Sequence, residues 1–226
     1  NGVVVNLYQT TTPEVVFKTT TTANSPTNAP GWYLFDDLLP GNYIVEFMIP
    51  SNYVFGKKDS ALTTDLLDSD ADIVTGKTTT ITITNFDQLY WDAGVFIPAC
   101  LGDYVWYDKD QDGIQDATEV GMENVAVTLY LPDGDIWHTT TDATGFYKFC
   151  RLPEGNYTIS FVMPTGYVVT PTDRGTDDAK DNDIDGTFTT PVITITQGID
   201  QYIWDAGFTL LKIGDTAWGD LDKDGL

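Results

Sequence analysis

Val125-Ala126-Val127-Thr128-Leu129-Tyr130 places Val125, Val127 and Leu129 on one face and Ala126, Thr128 and Tyr130 on the other. Period-two alternation in a run rich in β-branched residues is the signature of a half-buried strand. Tyr157-Thr158-Ile159-Ser160-Phe161-Val162 and Val192-Ile193-Thr194-Ile195-Thr196 read the same way. Turn residues punctuate these runs: Pro132-Asp133-Gly134-Asp135, Asp142-Ala143-Thr144-Gly145, Pro153-Glu154-Gly155-Asn156 and Pro164-Thr165-Gly166. No stretch shows helical spacing of useful length. Some seven short strands in about 110 residues predict an all-β, immunoglobulin-like sandwich.

The same signals recur. Gly102-Asp103-Tyr104-Val105-Trp106-Tyr107-Asp108 returns 112 residues later as Gly214-Asp215-Thr216-Ala217-Trp218-Gly219-Asp220. Gly31-Trp32-Tyr33-Leu34-Phe35 matches Gly145-Phe146-Tyr147-Lys148-Phe149, and Pro40-Gly41-Asn42-Tyr43 matches Glu154-Gly155-Asn156-Tyr157. Tyr90-Trp91-Asp92-Ala93-Gly94 matches Ile203-Trp204-Asp205-Ala206-Gly207. A repeat of this length is a whole domain and not a solenoid coil. The expected organisation is tandem sandwiches. Residues 1–98 form a domain without its opening strand, because Val3-Val4-Val5-Asn6-Leu7-Tyr8 already matches Val125 to Tyr130. Residues 99–210 form a complete domain, and 211–226 an opening strand with half a calcium loop of a following domain.

The bulk numbers bound the function. Of 226 residues, 34 are Asp or Glu against 11 Lys or Arg, a net charge of −23. Nucleic acid and anionic lipid both require a basic face, so neither is an expected partner. An acidic surface attracts cations. The aromatic content of 13% argues against disorder. No apolar run approaches the roughly 20 residues of a membrane helix, so no membrane insertion is expected. No signal peptide is visible, although the chain opens in mid-pattern.

Asp108-Lys109-Asp110-Gln111-Asp112-Gly113-Ile114-Gln115-Asp116-Ala117-Thr118-Glu119 fits the twelve-position calcium loop. Carboxylates stand at its positions for alternate inward-facing ligands, glycine at the sharp turn and glutamate at the end. Calcium takes six to eight hard oxygens at about 2.4 Å. Asp108, Asp110, Asp112, the Ile114 carbonyl, Asp116 directly or through water, and Glu119 with both oxygens are therefore the expected ligands. Helices do not flank the loop, so the expected role is structural and not that of a helix-opening sensor. Asp220-Leu221-Asp222-Lys223-Asp224-Gly225-Leu226 repeats the first half, with Asp220, Asp222 and Asp224 as candidate ligands. A second acidic cluster, Asp177, Asp178, Asp181, Asp183 and Asp185, has the counterpart Asp65, Asp68, Asp70 and Asp72. Such crowded carboxylates repel one another unless a cation joins them. Asp103 and Asp215 could contribute from the neighbouring strand. The other reading of both clusters is an acidic, solvated loop.

At these residues the chain resembles the B repeats of serine-aspartate-repeat surface proteins, relatives of the collagen-adhesin B-type domains. The motifs are Gly102-Asp103-x-Val105-Trp106-x-Asp108, Asp110-x-Asp112-Gly113-x-Gln115-Asp116, Gly145-x-Tyr147-x-Phe149, Leu152-Pro153-x-Gly155-x-Tyr157, Asp181-x-Asp183 and Asp205-Ala206-Gly207. The resemblance implies an Ig-like sandwich, several calcium ions per domain and a stalk role on a bacterial surface. Some collagen-adhesin-type domains carry Lys–Asn isopeptide bonds. None is expected here, since Leu101 to Tyr107 has no Lys and Gln201 to Phe208 has no Asn.

Cys100 and Cys150 lie outside the family pattern. A disulfide between them fits an oxidising, extracellular setting, two buried thiols being the other reading. Their repeat equivalents are Lys212 and Asp36. If the cysteines meet within one domain, Lys212 is expected to meet Asp36 of another copy, with the strand 212–226 completing the first domain of its neighbour. The units would then join head to tail as a fibre, by strand donation or as a tandem array. A fragment with an incidental end is the plain alternative.

An enzyme needs an activated group, and the single histidine, His138, sits in an alternating strand with no evident partner. There is no nucleophile elbow or phosphate loop. A carbohydrate-binding or adhesive module is the stronger competitor, with a glycan or other surface ligand as its partner and Trp32 and Trp137 as the residues to test for exposure. Asn156-Tyr157-Thr158 is an N-glycosylation sequon at Asn156. Threonine runs such as Thr19 to Thr22 read most simply as solvent faces of strands.

Overall fold

The computed structural model describes residues 1–10, 14–59 and 68–213. The chain divides into two compact units, Asn1–Ala99 and Cys100–Leu226. Among the described residues all regular structure is strand.

In the first unit, β1 (Val4–Gln9), β2 (Val15–Thr21), β3 (Gly41–Met48) and β5 (Ile81–Ile83) form an antiparallel sheet in the order β2-β1-β3-β5. The short strands β4 (Val54–Phe55) and β6 (Val95–Phe96) pair with each other. Alternation on β3 turns Tyr43, Val45 and Phe47 inward. They pack with Val5, Leu7, Phe55 and Ile81 into the core of this unit.

The second unit is a two-sheet sandwich. One sheet runs β10 (Ile136–Thr140), β9 (Ala126–Tyr130), β12 (Gly155–Phe161) and β14 (Ile193–Ile195). The other runs β11 (Phe146–Leu152), β7 (Ala99–Tyr107), β16 (Ala206–Thr209) and β13 (Val168–Val169), with β8 (Val120–Gly121) and β15 (Gln201–Tyr202) also pairing with β7. The three alternating runs of the sequence all become strands, within one or two residues of the expected ends.

β7 organises the second sheet. It pairs in parallel with β16, Val105 opposite Ala206 and Tyr107 opposite Phe208, and lies beside β11 on its other side. A strand with neighbours on both edges and cover on both faces loses the simple alternation of a half-exposed strand. Leu101, Val105 and Trp106 of β7 are accordingly all completely buried, and so are Ala206 and Phe208 opposite. Cys100 of β7 and Cys150 of β11 form a disulfide that spans 50 residues. On the chain-entropy account, cross-linking a loop of that length stabilises the native state by about 4 kcal/mol.

The two units differ where β7 stands. Gly145–Phe149 opens β11, whereas its sequence twin Gly31–Phe35 makes only an isolated bridge from Trp32 to Ala23. Strand identity depends on a partner. β11 has β7, and the described residues of the first unit contain no strand in that place.

Candidate metal centre

Two loops meet at one end of the second sandwich. Residues 108–119 follow β7, and residues 173–185 follow β13. An isolated antiparallel bridge joins Ile114 to Asp181, and the Gln115 amide donates to the Lys180 carbonyl at 2.6 Å. Local bonds fold the first loop. Asp108, completely buried, accepts from the amides of Gln111 and Gly113 at 2.6 and 2.9 Å, and from the Thr170 hydroxyl. Gly113 has φ 84°, and a Cβ there would strike the Pro171 carbonyl, so only glycine fits the turn.

Within this frame Asp108, Asp110 and Asp112 each bring a carboxylate oxygen within 4.8 Å of the others, and Asp178, Asp181 and Asp183 do the same. The first group is three of the carboxylates expected from the calcium-loop spacing. The second is the middle of the other acidic cluster. The remaining candidates stand outside these groups. Glu119 accepts from the Lys109 and Asp116 amides at 2.6 and 3.2 Å, so it closes the loop by hydrogen bonds. Burial raises its pKa. Asp116 is exposed, and the Ile114 backbone is engaged with Asp181. Asp177 pairs with Lys180 at 3.2 Å. Asp185 accepts from the amide and hydroxyl of Thr187 and so fixes its own turn, as Asp72 does with Thr75 in the first unit. Asp70 accepts from the Asp92 amide at 2.8 Å, and Asp68 is half-buried. Asp65, Asp220, Asp222 and Asp224 lie outside the described residues. Among the described residues the first unit assembles no group of three.

The second unit concentrates buried carboxyls. Burial pushes the Asp205 carboxyl up to about 9, with Asp103 adding to the shift, and pushes Asp183 up to about 8. Asp103 is raised to about 6 by burial. Asp181 is raised by burial and then by the charge of Asp178. Asp181 Oδ1 and Asp205 Oδ2 are buried without a hydrogen-bond partner. A desolvated carboxylate oxygen with no donor is costly, and a hard divalent ion compensates it. Three carboxylates per group are hard oxygen donors, the chemistry calcium prefers over softer metals.

Three supporting residues were not picked out from the sequence as part of this site. Thr170 comes from β13's end, 62 residues beyond Asp108. Asn182, completely buried, donates to the Thr170 and Ile184 carbonyls and accepts from the Gly207 amide. Asp205 accepts from the Tyr104 amide at 2.9 Å and donates its own amide to Asp183. Only the Asp205-Ala206-Gly207 repeat pointed to any of them. Asn156 lies at the start of β12, accepting from Thr194 at 3.1 Å, as Asn42 accepts from Thr82 in the first unit. His138 meets Thr128 across the β9–β10 pair.

A family model described as "SdrD B-like domain" matches residues 1–95 and 99–208. Serine-aspartate repeat-containing protein F of Staphylococcus epidermidis is 40% identical over 175 residues, which is 73% of this chain and 10% of that protein. Bone sialoprotein-binding protein of Staphylococcus aureus is 44% identical over 156 residues, 66% of this chain and 13% of that protein. The chain thus spans about a tenth of the length of the relatives it matches. A solved minor pilin of Streptococcus agalactiae overlays 96% of this chain and 87% of its own with a TM-score of 0.35 and 12% identity, too distant to argue from.

Proposed function

The chain belongs to the SdrD B-like domain family, and from that premise we propose that it is a calcium-stabilised structural module of a bacterial surface stalk, with units joined head to tail. The observation that carries this reading is the pair of three-carboxylate groups on two bridged loops, beside buried carboxylate oxygens that have no donor. Calcium bound there would tie residues 108–119 to residues 173–185 and so rigidify one end of the sandwich. The role is mechanical and not catalytic. His138 is paired to a threonine on an exposed sheet face, and the clustered acids have the spacing of metal ligands. The relatives reported above are staphylococcal proteins, and a disulfide suits an extracellular site.

Calcium titration of the chelator-stripped protein tests the reading. One ion is expected for each three-carboxylate group. The double substitution Asp110→Asn with Asp112→Asn should remove one ion, and Asp178→Asn with Asp181→Asn the other, each weakening its site about a hundredfold or more. Unchanged calcium uptake in both double variants would end the proposal.

A further inference from the structure

A continuous buried path of hydrogen bonds joins the two carboxylate groups of the second unit. Thr170, at the end of β13, donates its hydroxyl to Asp108 Oδ2, the oxygen that also accepts from the Gly113 amide at 2.9 Å. The Thr170 carbonyl accepts from the Asn182 side-chain amide at 3.1 Å. Asn182 stands between Asp181 and Asp183, two acids of the other group, and Asp181 carries the buried oxygen that has no donor. The Asn182 side chain is held from two more sides, donating to the Ile184 carbonyl at 2.8 Å and accepting from the Gly207 amide at 3.0 Å. Asp108, Thr170 and Asn182 are 0%, 3% and 0% exposed, so solvent does not compete along the path.

The fold itself does not need these side chains. The first unit has Gly56 where the second has Thr170, and Ser69 where it has Asn182. The backbone around them is the same. The Gly56 amide donates to the Gly94 carbonyl at 2.8 Å, as Thr170 does to Gly207 at 3.1 Å. The Asp59 amide donates to the Ser69 carbonyl at 2.9 Å, as Asp173 does to Asn182 at 3.0 Å. Only the side-chain path is missing. Gly56 has no hydroxyl, and the Ser69 hydroxyl is buried without a partner. A buried path laid over an unchanged backbone, with a carboxylate group at each end, serves something other than strand pairing.

We propose that the two groups bind calcium cooperatively, and that Thr170 and Asn182 are the positioning residues that couple them. The proposal rests on the calcium reading above and adds to it a coupling between the sites. Asp108 held against an ion would hold Thr170, and Thr170 would hold Asn182 with Asp181 and Asp183 on either side of it. The second ion would then meet acids already in place, and the cost of ordering the shared path is met once. By linkage the effect is reciprocal, each ion tightening the other by one common factor, typically about 5- to 150-fold. The backbone bridge of Ile114 to Asp181 joins the same two loops. Side-chain changes at 170 and 182 leave that bridge in place, so the two routes can be told apart.

Calcium titration of the chelator-stripped whole chain, read by NMR, tests the coupling. The Gly113 amide reports the first group and the Asp183 amide the second. Asp110→Asn with Asp112→Asn removes two negative charges, the same change that a bound calcium ion would make. Its effect on the other group therefore reports lost contacts and not altered charge. It should weaken calcium binding at the Asp183 amide about tenfold, and Asp178→Asn with Asp181→Asn should weaken binding at the Gly113 amide by the same factor. Thr170→Val, which removes the hydroxyl, should shrink both cross-effects to within about twofold, whereas Thr170→Ser, which keeps it, should retain them. Asn182→Ser, the residue the first unit carries, should act as Thr170→Val does and decides the matter if the valine variant does not fold. Cross-effects that survive Thr170→Val and Asn182→Ser overturn the side-chain path. Groups that fill independently in the unaltered chain overturn the cooperativity and leave the calcium reading standing. A chain in which neither amide responds to calcium overturns both.

Discussion

On the proposed calcium reading, the second unit's stability is expected to depend on pH in opposite directions in chelator and in calcium. Asp103, Asp183 and Asp205 have carboxyls raised by burial to about 6, 8 and 9. In chelator the unfolded chain gives up these protons near the ordinary aspartate range of about 4, while the folded unit holds them until much higher pH. The folded state therefore binds the more protons across that window. Stability is full below about pH 4 and falls as pH rises toward about 9, at up to 1.4 kcal/mol per pH unit for each group that stays protonated. Calcium reverses the sign. Bound as proposed, it would hold the ionised carboxylates, protonation would compete with it, and stability would rise with pH above about 4. Two ions at a hundred times their Kd add about 5 kcal/mol together. For a unit of about 110 residues that corresponds to roughly 20 °C in melting temperature. Thermal melts at about pH 5 and about pH 8, each with chelator and with calcium, decide the matter. Chelator curves that rise with pH, or calcium curves that match them, would refute it.

Trp106→Ala is expected to unfold the second unit while the first keeps its own transition. Trp106 is completely buried on β7, its ring against Gly207. Truncating a buried tryptophan costs about 3–5 kcal/mol, a large part of the 5–15 kcal/mol that holds an ordinary domain together. Its Nε1 is buried without a hydrogen-bond partner, so the polar atom contributes no bond to lose. Trp106→Phe keeps most of the packing and sheds that unmatched donor, and its loss should be less than half of the alanine loss. Differential scanning calorimetry reads both. If Ala and Phe cost the same, packing against Gly207 is not what Trp106 supplies.

Much of this architecture was legible because its causes are local. Alternation alone marked Val125 to Tyr130 and Tyr157 to Val162 as strands, and an acid at every second position marked Asp108, Asp110 and Asp112 as a convergent group. What was not legible is long-range. Thr170 reaches the site across the fold, and Asn182, inside the second acidic group, is held by distant partners at Thr170 and Gly207. Glu119 has the right position for an ion ligand, yet two backbone amides on its own loop engage it. Asp72 and Asp185 look like cluster members until the turns they hold are seen. Gly31–Phe35 carries a strand sequence and is not a strand, because a ladder needs the neighbour that β7 provides in the other unit.

The parallel pairing of β7 with β16 has a mechanical consequence. Among the described residues one is the unit's first strand and the other its last, and they run side by side in the same direction. Tension applied to the two ends of the unit pulls β7 and β16 in opposite directions along their common axis. Their hydrogen bonds are then loaded together in shear and not opened one by one like a zip. Stretching such a unit must break the parallel pairing of β7 with β16, and with β15 beside it, as one block.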